Sequence, residues 1–213
     1  MTEDEWVASE EPTRMWQLVR PSAGERKARL FALACARQAV VWVAAIPPAV
    51  KELLVLVEDM AEGAPISDTY YELVQQVRET TTTDERQRKA IQTVVKSGNR
   101  WLSSPVAVSY IIHEAASVGP DTNAEYHAQA KLLRDIFGNP FRPVAFDSRW
   151  RTGTALSLAR RMYESRDFGA MPILADALQD AGCDSTDILN HCRDASAPHV
   201  RGCWVVDLVL EKN

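Results

Sequence analysis

Apolar residues recur along the chain at the three-and-four spacing of an α-helix. Leu73, Val74 and Val77 form one stripe. Ile91, Val94 and Val95 form a second, opposite a charged face of Arg86, Arg88, Lys89 and Lys96. Ala130, Leu133 and Phe137 form a third, with Leu132 and Ile136 beside them, and Leu156, Leu158, Ala159, Met162 and Tyr163 a fourth. Ile173, Leu174, Ala177 and Leu178 predict a short helix closed by Gly182, and another opens near Ser185 and carries Ile188 and Leu189. The most apolar stretch, Leu30 to Ile46, is interrupted by Arg37 and Gln38 and ended by Pro47-Pro48. It is too short and broken to span a membrane and predicts a buried helix. Cys203 to Leu210 suits a strand or a packed helix by its β-branched content. No partner strand is visible elsewhere, so a helix is predicted.

Helix starts and stops punctuate these stripes. Thr2 with Glu5, Ser22 with Glu25, Thr82 with Glu85 and Thr122 with Glu125 have capping-box spacing. Ser104-Pro105 reads as a further start. Stops are expected at Pro47-Pro48, Gly63, Gly98-Asn99, Gly119-Pro120 and Gly138-Asn139-Pro140. Ala64 to Asp68 and Asn139 to Asp147 read as irregular, the latter because two prolines restrict themselves and their predecessors. The pattern predicts an all-α fold, a compact multi-helix bundle of about eight to ten helices. Residues 1–213 are expected to form a single helical domain, with subregions 1–120 and 121–213 on one core and Asn139 to Asp147 crossing between them.

Composition adds exclusions. With 213 residues and 46% hydrophobic content, a core of ordinary size forms without a metal or disulfide staple. The net charge of -5 argues against a general nucleic-acid binder. The acidic opening MTEDEWVASEEP is neither a secretory signal nor a transit peptide. Four cysteines, Cys35, Cys183, Cys192 and Cys203, then predict reduced thiols in a cytoplasmic chain.

The densest chemistry lies in GCDSTDILNHCRDASAPHVRGCW, which holds Cys183, His191, Cys192, His199 and Cys203. Cys183, His191, His199 and Cys203 are the candidate zinc ligands, thiolate and imidazole being natural donors. The spacing opposes this, because structural sites usually draw two ligands from one turn. Only His199 and Cys203 approach that, and only if Val200 to Gly202 make a turn. The spacing therefore favours core cysteines and histidines hydrogen-bonded at helix ends. A nucleophile pairing Cys192 or Cys203 with His191 or His199 meets two objections. Adjacent helix residues point apart, and Trp204 suggests that Cys203 is buried. His113-Glu114 opens a zincin-like run, but Ser117 stands where the second histidine is needed. No glycine-rich phosphate loop and no EF-hand loop occurs. No catalytic residue is assigned.

Seven arginines lie between Arg134 and Arg166, namely Arg134, Arg142, Arg149, Arg151, Arg160, Arg161 and Arg166. Such a patch suits phosphate or an acidic partner, although pairing with the chain's own acids fits its negative total better. Arg142, Arg149, His199 and Arg201 are the first candidates for anion or partner binding, and Asn139, Arg142 and Arg201 for tying loops to helix ends.

The motifs LLRDIFGNPFRPV, PILADALQDAGC and HVRGCWVVDLVL, with the openings TEDEWVASEEPTRMWQLV and SAGERKARLFALACARQ, resemble a recurring family of small bacterial helical proteins. The resemblance covers most of the chain and is weakest from Pro47 to Asp121. It implies no reaction, cofactor or catalytic residue. It does imply a Cys-Cys pair where this chain has Cys35-Ala36. With no complete catalytic constellation, the leading expectation is a non-enzymatic protein-interaction or scaffold module with an unidentified protein partner. No membrane, nucleic acid or cofactor is expected in that reading. Trp6, Trp16 and Trp150 are its candidate interface aromatics. The alternative is a zinc-binding protein or metal-dependent enzyme centred on the C-terminal Cys/His cluster. The third reading is a nucleic-acid or phospho-ligand binder through residues 134–166.

Overall fold

A computed structural model describes residues 1–99, 102 and 106–212. Among these the chain is all helical, with twelve α-helices and no strand. They are α1 (Glu3–Ala8), α2 (Pro12–Val19), α3 (Glu25–Val41), α4 (Pro48–Ala61), α5 (Asp68–Arg78) and α6 (Glu85–Ser97). After these come α7 (Ala107–Ala116), α8 (Thr122–Phe137), α9 (Gly153–Ser165), α10 (Met171–Asp180), α11 (Thr186–Arg193) and α12 (Trp204–Leu210). Short 3-10 turns occupy Arg20–Ser22 and Ser148–Trp150. The start expected at Ser104-Pro105 lies outside the described residues. No helix among those described is long and apolar enough to cross a membrane.

By internal packing the chain divides into two units. The first is residues 8–130 with Met1, and the second joins Thr2–Val7 to the chain from Lys131 onward. The division falls inside α8, not in the turn near residue 120.

In the first unit, α3 packs against α4, α6 and α7. It is buried from Ala28 to Ala36, and its alanines let neighbouring backbones approach closely. A cluster of Leu33, Val50, Leu53, Val57, Leu73 and Val94 fills the space beside it. Each fully buried side chain of this kind contributes about 1.5–3 kcal/mol. Arg29 is buried there as well, an arrangement that is costly unless the charge is paired. Its Nη2 donates to Glu25 at 2.6 Å and its Nη1 to the Gly98 carbonyl at 3.1 Å, which also accepts from Tyr70 Oη at 2.9 Å.

The second unit packs α9, α10, α11 and α12 around Met162, Met171, Leu174, Leu178, Ile188 and Val206. Two arginines satisfy orphan carbonyls at helix C-termini. Arg201 donates to the Tyr163 carbonyl at 2.7 Å, and Arg151 to the Leu208 carbonyl at 3.0 Å. The irregular segment after α8 belongs to this unit. So does α1, whose Trp6 carbonyl accepts from Arg134 at 3.0 Å and whose Glu3 accepts from Asn139 at 2.9 Å.

The glycine stops at Gly63, Gly138 and Gly182 hold, each with positive φ just past a helix. The caps divide. Thr2 and Glu5 form the reciprocal box, with Thr2 N–H donating to Glu5 at 2.9 Å and Glu5 N–H to Thr2 at 3.2 Å. The other three boxes do not form. Asp84 caps α6 and Asp121 takes the first amides of α8, because a carboxylate nearer the helix start outcompetes the hydroxyl. At α3 the cap is Gly24, and the Ser22 hydroxyl donates backward to the Val19 carbonyl. Pro47-Pro48 opens α4 instead of ending α3, which stops at Val41. The tryptophans expected at an exposed interface are core residues. Trp6 and Trp16 are each 1% exposed and Trp150 9%, and Trp16 stacks on Phe31.

Candidate metal centre

Four side chains converge inside the second unit: Asp135, His191, His199 and Cys203. Asp135 lies in the last turn of α8 and His191 in the last turn of α11. His199 stands in the segment that follows α11, and Cys203 caps the start of α12. The Val200–Cys203 turn on which the His199–Cys203 pair depends is present. Cys203 N–H donates to the Val200 carbonyl at 2.9 Å, and Gly202 supplies the left-handed residue at φ +92°.

The donor atoms lie within 4.8 Å of one another. Asp135 Oδ1 is 2.9 Å from His199 Nδ1 and 3.2 Å from His191 Nε2. Cys203 Sγ is 3.2 Å from His191 Nε2 and 3.9 Å from His199 Nδ1. A tetrahedral zinc ion places nitrogen and oxygen donors about 3.3 Å apart, and nitrogen and sulfur about 3.5 Å apart, given bonds of about 2.0 and 2.3 Å. The two nitrogen–sulfur edges, 3.2 and 3.9 Å, bracket the second value, while the two nitrogen–oxygen edges, 2.9 and 3.2 Å, are shorter than the first. The other carboxylate oxygen, Oδ2, accepts the Val200 amide at 2.9 Å, which leaves Oδ1 turned to the cluster. The His191 ring leans on Trp204, with centroids 5.2 Å apart.

Burial is near complete: side-chain exposure is 1% for Asp135, 8% for His199 and 14% for His191, and Cys203 is 0% exposed. Burial by itself pushes the Asp135 carboxyl up. Hydrogen bonds and attraction from His191 and His199 together outweigh it, so the carboxyl is held below its ordinary range. Burial first, then repulsion from Asp135, holds the Cys203 thiol well above its ordinary 9.0. A divalent cation reverses that balance, since one carboxylate and one thiolate neutralise two positive charges. Without a cation, the buried, protonated thiol is unsuited to the nucleophile reading, despite its two imidazole neighbours.

Three of the four candidate ligands expected from the sequence are therefore brought together, with Asp135 as the fourth member of the cluster. Cys183 is not in the cluster. It is buried in the C-terminal core, as is Cys192, whose thiol burial pushes up to about 12. Asp135 escaped the sequence reading because it precedes His199 by 64 residues. A signal was present: it is an acid set among Leu132, Leu133 and Ile136, all buried.

The remaining candidates have other partners. Arg149 pairs with Asp147 at 2.6 Å, Arg142 with Glu3, and Arg151 with Glu211 at 3.1 Å. Arg201 caps α9 through the Tyr163 carbonyl. Arg160 and Arg161 line a shallow groove along α9. His113 sits between Tyr126 Oη at 2.7 Å and Thr13 Oγ1 at 3.3 Å. Cys35 is wholly buried in α3, where burial raises its thiol. No family model, curated protein or solved structure matches the chain.

Proposed function

We propose that this is a non-enzymatic helical protein whose C-terminal unit is organised by a structural zinc ion held by Asp135, His191, His199 and Cys203. The observation that carries the reading is the convergence of four metal-ligating side chains in one buried site, their donor atoms within 4.8 Å of one another. Three further features support it. All four positions come from protein, so none is left for a substrate or activated water, as is usual of structural sites. The donor set of two nitrogens, one sulfur and one oxygen matches the borderline softness of zinc. The centre is neutral overall, which suits a buried site.

The test is elemental analysis of untagged protein, followed by zinc titration of the stripped chain. About one zinc per chain is expected. Asp135→Asn and Cys203→Ser are each expected to weaken zinc binding by more than about 100-fold, beyond the usual loss for a group one shell further out. Cys183→Ala is expected to keep the metal. Cobalt in place of zinc should give a sulfur-to-metal charge-transfer band that Cys203→Ser abolishes. A native chain that purifies without metal and takes up none in titration overturns the reading.

A further inference from the structure

A second feature, wholly within the first unit and independent of the zinc reading, is a groove of about 840 Å³ lined by α5, α6 and their connecting turn. Its volume is in the range of small-molecule sites, about 300–1,000 Å³. Val74, Val77, Ile91 and Val95 give it an apolar lining. Ile66 and Tyr71 at its margin are 41% and 57% exposed, more than unengaged apolar side chains of that size favour when clustered.

Its charge is one-sided. The charged side chains lining it, among the described residues, are Arg78, Arg88 and Lys96, with no acid, in a chain of net charge -5. Lys96 is committed, its Nζ lying 2.5 Å from Glu114 and 3.7 Å from the centroid of the Tyr110 ring. Arg78 and Arg88 are exposed and make no ion pair among the described residues. In the turn between them the Thr80 hydroxyl donates to the Gln76 carbonyl at 3.3 Å and the Thr82 hydroxyl to Gln87, and Thr81 completes the lining. An apolar slot ending in two guanidiniums that make no ion pair among the described residues complements a ligand with a hydrocarbon body and an anionic head. The α5 lining of the slot runs from Tyr70 to Arg78, about 12 Å of helix, which is on the scale of an extended acyl chain of medium length.

We infer that the α5–α6 groove binds an amphipathic carboxylate of the medium-chain fatty-acid class, its chain against Val74, Val77, Ile91 and Val95 and its head at Arg78 and Arg88. The test is calorimetric titration of the full chain with dodecanoate below its micelle-forming concentration, with dodecanol as the uncharged comparison. Saturable binding is expected, with dodecanol weaker. The Arg78→Glu/Arg88→Glu double variant should bind dodecanoate at least about tenfold more weakly, since two attractions become repulsions. The charge-matched Arg160→Glu in the second unit should bind as the native chain does. Val95→Trp, which fills the slot, should abolish binding, with circular dichroism confirming that each variant remains folded. Three results overturn the inference: no saturable binding of dodecanoate, equal binding of dodecanol, or binding that survives both the double variant and Val95→Trp. Uptake of an acidic amphipathic peptide or pairing of two chains, in place of dodecanoate, also overturns it.

Discussion

Glu125 shows how much one side chain's surroundings can alter its chemistry. Its carboxylate is buried beside Trp42, whose indole N–H donates to it at 2.7 Å, and a Cβ on Gly119 would lie 2.6 Å from its Cγ. Burial raises the carboxyl above its ordinary 4.5, and the indole bond only partly offsets this. The folded chain thus holds this proton more tightly than the unfolded chain does. The stability contributed is full below the ordinary value and is lost as pH rises through the raised one. Glutamine keeps the acceptor for Trp42 and cannot ionise. Urea midpoints of Glu125→Gln and the native protein, measured at about pH 4 and about pH 7, should show the variant gaining on the native chain as pH rises. A difference that does not change with pH argues against this account.

At the scale of elements, the glycine that ends α8 does two jobs. Gly138 adopts φ +65°, which favours glycine, and an added Cβ would lie 3.2 Å from the Trp204 indole at the start of α12. Gly182 after α10 has a similar constraint, φ +89°, with no atom within 4 Å of an added Cβ. Gly182→Ala is therefore expected to cost about 1 kcal/mol from backbone strain alone. Gly138→Ala adds overpacking and is expected to cost about 2–3 kcal/mol. Because Trp204 leans on His191, the Gly138 change should also weaken zinc uptake, whereas the Gly182 change should not. Urea melts and zinc titrations of the two variants separate the contributions.

For the whole molecule, each unit has its own buried cluster, yet the four proposed zinc donors all lie in the second. A ligand at about a thousand times its Kd adds about 4 kcal/mol to whatever it binds in folded form. Chelation is accordingly expected to strip hydrogen-exchange protection from α11, α12 and the end of α8, while α3 and α6 stay protected. Uniform loss across both units, or none, would refute a centre that organises the second unit alone.

The amino-acid order by itself determined the all-helical class, the buried α3, the helical ending at Cys203 to Leu210 and the glycines that close α4, α8 and α10. These depend on apolar periodicity and turn conformation, which act over a few residues. It also offered His191, His199 and Cys203 as candidate zinc ligands, three of the four members of the cluster, although it left the turn between His199 and Cys203 open. Only the tertiary structure decided that Asp135 completes the set, that Cys183 stays in the core, and that Trp6, Trp16 and Trp150 are interior. It likewise decided which polar side chain captures the amides of α3, α6 and α8. Donor convergence depends on how helices pack across 64 residues of chain, and capping on which of several nearby groups reaches an amide first. Neither distance is encoded in spacing along the chain.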